Sequence, residues 1–158
     1  MRCVNILILI TFMLCAACTN SQLIMGEKSS EPFPEFAVAK LYQMNWSSGD
    51  PMMDLVYDGK LNPDRQPLDG IILTDAQADL LIAAITGEFS RGAAAACYWP
   101  HHGFEFLDGN GERVGAISVC FKCRNHHSHI SGTSSVIDID ALERLVKSMG
   151  VPIRRPDW

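Results

Sequence analysis

Lysine and arginine never form a block in this chain. Thirteen of them are spread over 158 residues against 18 aspartates and glutamates, and the net charge is −5. Tracking a phosphate backbone requires clustered cations, so this distribution argues against a nucleic-acid partner. The familiar catalytic signatures are missing as well. There is no Gly-x-Ser-x-Gly elbow, phosphate loop, dinucleotide fingerprint or His-Glu-x-x-His pair, and the reading leans away from an enzyme. Internal repeats and low-complexity blocks are absent too, which removes solenoids and propellers. Charged residues make up only 20% of the chain and hydrophobic ones 47%, too apolar a balance for a wholly disordered polymer. The length suits one domain, or one domain with a tail.

The longest apolar run, Val4 to Leu14, is interrupted by Asn5 and Thr11 and is too short to span a bilayer. Met1 and Arg2 give it a positive start, and Cys15-Ala16-Ala17-Cys18 closes it. This is the three-part layout of an export signal. The segment resembles the leader of bacterial lipoproteins, in which small residues precede a cysteine that is lipidated after cleavage. Ala16, Ala17 and Cys18 carry the resemblance, while Cys15 stands where leucine is usual. The resemblance implies a signal peptide over 1–17, a lipid anchor on Cys18 and membrane attachment through it. Thr19 after the cysteine implies sorting to the periplasmic face of the outer membrane. A plain secretory leader cut near Ala17 is the alternative.

Residues 18–35, polar and carrying Ser29, Ser30, Pro32 and Pro34, read as a lipidated cysteine and flexible tether. Residues 36–158 read as a single α+β domain. Phe36, Val38, Tyr42, Met44 and Trp46 alternate on one face of an expected strand, with Lys40 as a lapse. A turn at 47–51 precedes a second strand through Met53, Leu55 and Tyr57, which places strands near 36–58. Asn62 to Gly70, with two prolines, reads as a loop.

Thr74 and Gln77 have the spacing of a capping box and open a helix at about 74–86, with Leu80, Leu81, Ala84 and Ile85 on its inner side and Gly87 at its end. Asp140 and Glu143 repeat the logic for a helix at about 141–149. There Leu142, Leu145, Val146 and Met149 form an i, i+3, i+4, i+7 stripe, and Gly150 and Pro152 stop it. Between the helices, Asp108-Gly109-Asn110-Gly111 is the turn of a hairpin over 97–123. The expectation is a small antiparallel sheet with two packed helices.

Pairing Asp108 with Gly111 sets Phe104 opposite Gly115, His102 opposite Ile117 and Tyr98 opposite Phe121. Those residues, with Phe106 and Val119, form the expected core face. The other face carries Cys97, Trp99, His101, Glu105 and Cys120, with Cys123 just beyond, so three sulfurs and an imidazole gather at the open end. Three readings of the cluster stay open. One is a disulfide among Cys97, Cys120 and Cys123, favoured by an oxidising compartment. Another is a zinc or copper site using Cys97, Cys120 and Cys123 with His101 or His126. The last is thiol-redox chemistry at Cys120-Phe121-Lys122-Cys123. His126, His127 and His129 fall in an expected polar loop, solvated or lending further metal ligands. Glu105 and Asp108 are a possible carboxylate pair, with Asp108 claimed by the turn.

The arrangement Cys97-Tyr98-Trp99-Pro100-His101, then Phe104-Glu105-Phe106 and Cys120-Phe121-Lys122-Cys123, resembles a group of uncharacterised exported bacterial proteins from about Cys97 to Pro152. The resemblance supports an intact domain and implies no chemistry. The sequence therefore points to a membrane-anchored periplasmic binding or interaction module with a protein or small-molecule partner. The competing class is a metal-binding or thiol-redox protein.

Overall fold

In a computed structural model of the chain, the structure describes residues 24–44, 54–91 and 97–154. The leader over 1–17, Cys18, Trp46, the expected turn at 47–51, Met52 and Met53 lie outside them. Among the described residues the fold is α+β, two helices and a five-stranded antiparallel sheet. No helix among them is long and apolar enough to cross a membrane.

The elements run β1 (Ile24–Met25), β2 (Val38–Met44), β3 (Val56–Tyr57), β4 (Lys60–Leu61), β5 (Arg65–Ile72), α1 (Asp75–Thr86), β6 (Ser90–Arg91), β7 (His102–Leu107), β8 (Arg113–Cys120), β9 (Asn125–Ser128) and α2 (Ile139–Ser148). The main sheet has the order β5-β2-β7-β8-β9, and β1-β6 and β3-β4 form two small ribbons. One face of the sheet is covered by the helices. Ala39 and Leu41 of β2, Phe104 and Phe106 of β7, and Ile117 and Val119 of β8 meet Leu81, Ala84, Ile85, Leu142, Leu145 and Val146 there.

Both helix starts follow from their side chains. The Thr74 hydroxyl accepts from the Gln77 amide and the Gln77 side chain accepts from the Thr74 amide, the full capping box. For α2 the cap is Asp138, whose carboxylate accepts from the Ala141 amide. Asp140, the expected cap, instead forms a two-pronged ion pair with Arg124. Leu80, expected on the inner side of α1, is exposed.

The hairpin pairs two residues out of the expected register, and the reason lies in its turn. The loop runs over Asp108–Glu112, with Gly111 at φ +83° and the Asp108 carboxylate accepting from the amides of Asn110 and Glu112. His102 therefore faces Val119, Phe104 faces Ile117 and Phe106 faces Gly115. A slip of two preserves the faces, because side chains alternate with period two. Within the ladder, His102, Phe104, Phe106, Ile117 and Val119 accordingly keep their expected side of the sheet, while Tyr98, beyond its end, does not.

The opposite face is also covered. Tyr42, Met44 and Ala116 pack there against Leu55 and Val56, which lead into and begin the β3–β4 ribbon. Tyr42 and Met44 thus belong to this smaller cluster, and the lapse at Lys40 has its explanation. Lys40 sits opposite Glu105 on a face that mixes apolar and charged groups. Gly103 lets Leu55 approach, since a Cβ there would stand 2.7 Å from the Leu55 Cβ.

Three segments differ from the sequence reading. Residues 65–70, expected as loop, belong to β5, an edge strand among the described residues; Pro67 fits because it falls in the bulge between the pairs Gln43–Gln66 and Leu41–Ile71. Residues 125–128, expected as polar loop, form β9 on the other edge. The stretch 24–35, expected as tether, is fastened to the domain. Its β1 pairs with β6, the Glu27 amide donates to Ser135 Oγ, and the Phe33 ring meets Phe36 and Phe106 edge-on.

Candidate functional site

The β7–β8 ladder stops at His102 and Val119, so Cys97 to His101 run irregularly past the end of β8. Pro100 has no amide hydrogen to continue the ladder. Released from it, Cys97 meets the turn that joins β8 to β9, and its sulfur forms a disulfide with Cys123 across a Cα–Cα distance of 5.8 Å. Cys120 is a buried free thiol whose sulfur accepts from the Cys123 amide at 3.3 Å.

A sulfur in a disulfide is not a thiolate, so in this state Cys97 and Cys123 are not zinc ligands. The ligand set Cys97, His101, Cys120, Cys123 is therefore not assembled here. The alternative fourth ligand, His126, pairs with Val119 on the helix side of the sheet and lines a crevice with Val136, Ile137 and Ile139.

The disulfide walls a cavity of about 430 Å³ lined by Cys97, Trp99, His101, His102, Phe121, Lys122, Cys123, Ile153 and Arg154. Phe121 and Ile153 are buried, Trp99 is 45% exposed, and the Lys122 and Arg154 side chains face solvent. The walls are thus mainly apolar, and the exposed lining carries two cations.

The two histidines in the lining are fixed by carbonyls. His101 Nδ1 lies 3.1 Å from the Met44 oxygen, and His102 Nε2 lies 2.9 Å from the Pro152 oxygen. A carbonyl only accepts, so each of these nitrogens carries a proton. His102 also stacks edge-on against Phe121, with ring centres 4.9 Å apart. Burial pushes its pKa down to about 4, against the opposing pull of the Pro152 carbonyl. It is a neutral donor that fastens the C-terminal segment to the sheet. Gln43 donates to the same Pro152 oxygen at 2.9 Å.

Glu105 is buried, with Arg113 Nε donating at 2.8 Å and the Tyr42 hydroxyl at 2.7 Å. Burial and the neighbouring Glu105 hold the Tyr42 hydroxyl protonated. Asp108 serves the hairpin loop, where backbone amides hold its carboxyl below the usual range. The two carboxylates are therefore engaged separately in holding the fold.

A second group of polar side chains lies across the sheet from the helices. In an antiparallel ladder, paired residues share a face. His127 pairs with Ser118, and the His129 amide donates to the Ala116 carbonyl, so both imidazoles project with Ala116 and Ser118 toward the Leu55 cluster. Asp54 meets them there, its Oδ2 2.7 Å from His127 Nδ1. The Tyr98 hydroxyl donates to the other carboxylate oxygen, and burial followed by this carboxylate pushes its pKa well up. Among the described residues, Asp54, His127 and His129 are the His/Cys/Asp/Glu donors that converge in a group of three, with ligand atoms within 4.8 Å of one another.

Sequence reasoning missed Asp54 and gave Tyr98 a place on the opposite, core face. The His-x-His spacing was visible, but it marks one strand face only once β9 is known to be a strand. Asp54 lies 73 residues away, and nothing local announces the meeting. Comparisons with protein-family models, curated proteins and solved structures return no match.

Proposed function

We propose that the protein is an exported, lipid-anchored binding module of the bacterial envelope, attached through Cys18 to the periplasmic face of the outer membrane. Its ligand would be a small molecule or peptide end with an apolar body and an anionic group. The cavity carries this reading. Its volume of about 430 Å³ falls within the roughly 300–1,000 Å³ usual for ligand pockets. Trp99, Phe121 and Ile153 offer apolar surface, Lys122 and Arg154 attract negative charge, and the Cys97–Cys123 bridge fixes one wall. The competing class, metal-binding (zinc or copper) or thiol-redox chemistry at Cys97, His101, Cys120 and Cys123, requires that bridge to open first.

A fluorescent apolar anion, 1-anilinonaphthalene-8-sulfonate, tests the cavity. The folded protein is expected to bind one equivalent with enhanced emission. Trp99→Ala and a double Lys122→Ala, Arg154→Ala variant should each weaken binding about tenfold, the loss of about 1.4 kcal/mol of contact. Binding unchanged in both variants, at unchanged melting temperature, rejects the reading. Lipid labelling in a bacterial host checks the anchor: it should vanish in Cys18→Ser and persist in Cys15→Ser.

A further inference from the structure

We infer that Asp54, His127 and His129 form a zinc site on the sheet face opposite the helices, separate from the disulfide-walled cavity. Two imidazoles and one carboxylate are a donor set that zinc accepts, with a fourth position left to water or to a donor from a partner. Three observations support the assignment.

The first is how the donors are brought together. His127 and His129 are two residues apart at the β9 edge, which sends both rings to one side, and their ring centres stand 4.4 Å apart at a tilt of 58°. The second is the closeness of all three ligand atoms, within 4.8 Å of one another. Zinc bonds of about 2.0–2.2 Å bring ligand atoms to roughly 3.3 Å apart in a tetrahedron, a change within reach of side-chain rotation. The proton between His127 Nδ1 and Asp54 Oδ2 occupies the place the cation would take, with the imidazole shifting to its other tautomer.

The third observation is the support behind the carboxylate. Asp54 is held at its backbone, since the Asn62 side chain donates to its carbonyl and the next amide, Leu55 N, donates to Ser118 Oγ at 2.8 Å. Its second carboxylate oxygen accepts from the Tyr98 hydroxyl, whose ring also meets His127 edge-on at 6.4 Å. Metal-ligating carboxylates are oriented by this kind of outer hydrogen bond. Tyr98 is thus a positioning residue, and Asp54 presents its Oδ2 edge to the two histidines. The side chains of His127 and Asp54 are 52% and 16% exposed, so the open coordination position faces solvent.

Equilibrium dialysis of the purified full-length protein against zinc chloride, with the metal quantified and folding followed by thermal melting, tests the site. One equivalent is expected. His127→Ala and His129→Ala, both at exposed positions and so expected to fold, should each weaken it by about 100-fold or more, and Tyr98→Phe by about 10-fold. His126→Ala, on the other face of the sheet, should leave binding unchanged. Cobalt(II) in place of zinc adds a visible spectrum that reports coordination geometry and should change in both His127→Ala and His129→Ala.

No zinc bound at micromolar concentration by the folded protein would overturn the proposal. So would an equivalent of zinc that survives both histidine substitutions. Zinc lost in Cys123→Ser but kept in His127→Ala would place the ion at the cysteines and likewise overturn it.

Discussion

His102 shows how one side chain couples this fold to pH. Neutral imidazole is buried beneath the C-terminal segment with its Nε2 proton committed to Pro152, and charging it in place costs solvation. The unfolded chain titrates near pH 6.5 and the folded one at about 4. Above pH 6.5 neither state carries the extra proton, and the contribution to stability is complete. As the pH falls from 6.5 toward 4 the unfolded state gains a proton that the native state refuses, so stability declines across that window, by about 3 kcal/mol in total. Denaturant melts at pH 7 and pH 5 should show about 2 kcal/mol of this loss in the wild type and a much smaller one in His102→Gln, which keeps a donor for Pro152. An equal loss in both would remove His102 as the cause. Glu105 answers burial differently. It sits between Arg113 and Tyr42 and is held by two donors. Neither role is written in the local sequence, because partners such as Pro152 for His102 lie far along the chain.

Among the elements, α2 carries the clearest expectation. Its stripe of Leu142, Leu145 and Val146 is buried against the sheet and α1, in keeping with the helical spacing. Leu145→Ala should cost about 2–5 kcal/mol, the range for removing a buried leucine without collapse of the gap. A melting temperature within a degree of wild type would show that the helix contributes little packing. The edge strands were harder to read. A buried strand announces itself by apolar alternation, but β5 and β9 are the sheet's edges among the described residues and carry Arg65, Gln66, Pro67 or Asn125, His126, His127. Such sequences look like loops because an edge strand has less apolar surface to hide. Hairpin register failed for a related reason. The Asn-Gly and Asp-Gly signals overlap in Asp108-Gly109-Asn110-Gly111, and the chain resolves the overlap with a five-residue loop closed by the Asp108 carboxylate.

At the scale of the whole molecule, the Cys97–Cys123 bridge joins the irregular strand entry to the β8–β9 turn across 26 residues. Constraining a loop of that length stabilises by about 3.5 kcal/mol if the effect lies in the unfolded chain. The domain is accordingly expected to lose about that much in Cys97→Ser. Because Cys120 is buried, alkylation without reductant should label it only once the domain is unfolded. Labelling of Cys97 and Cys123 alongside Cys120 in protein unfolded without reductant would reject the bridge and reopen the thiol and metal readings.

What the sequence determined by itself rests on short-range physics. The capping box of α1, the stripe of α2, the α+β class and the core face of the hairpin depend on residues a few positions apart, where periodicity and hydrogen-bond reach settle the outcome. Even a register slip of two left that face intact from His102 to Phe106, since side-chain direction along a ladder depends only on parity. Only the tertiary structure decided which cysteine meets Cys97, that the second sheet face is covered by Leu55 and Val56, and that Asp54 comes to His127 and His129. These are long-range meetings, fixed by where Pro100 stops a ladder, where Gly103 leaves room for Leu55, and which edge β9 takes. Partners separated by 26 or 73 residues leave no periodic trace, because the chain between them contributes only its path.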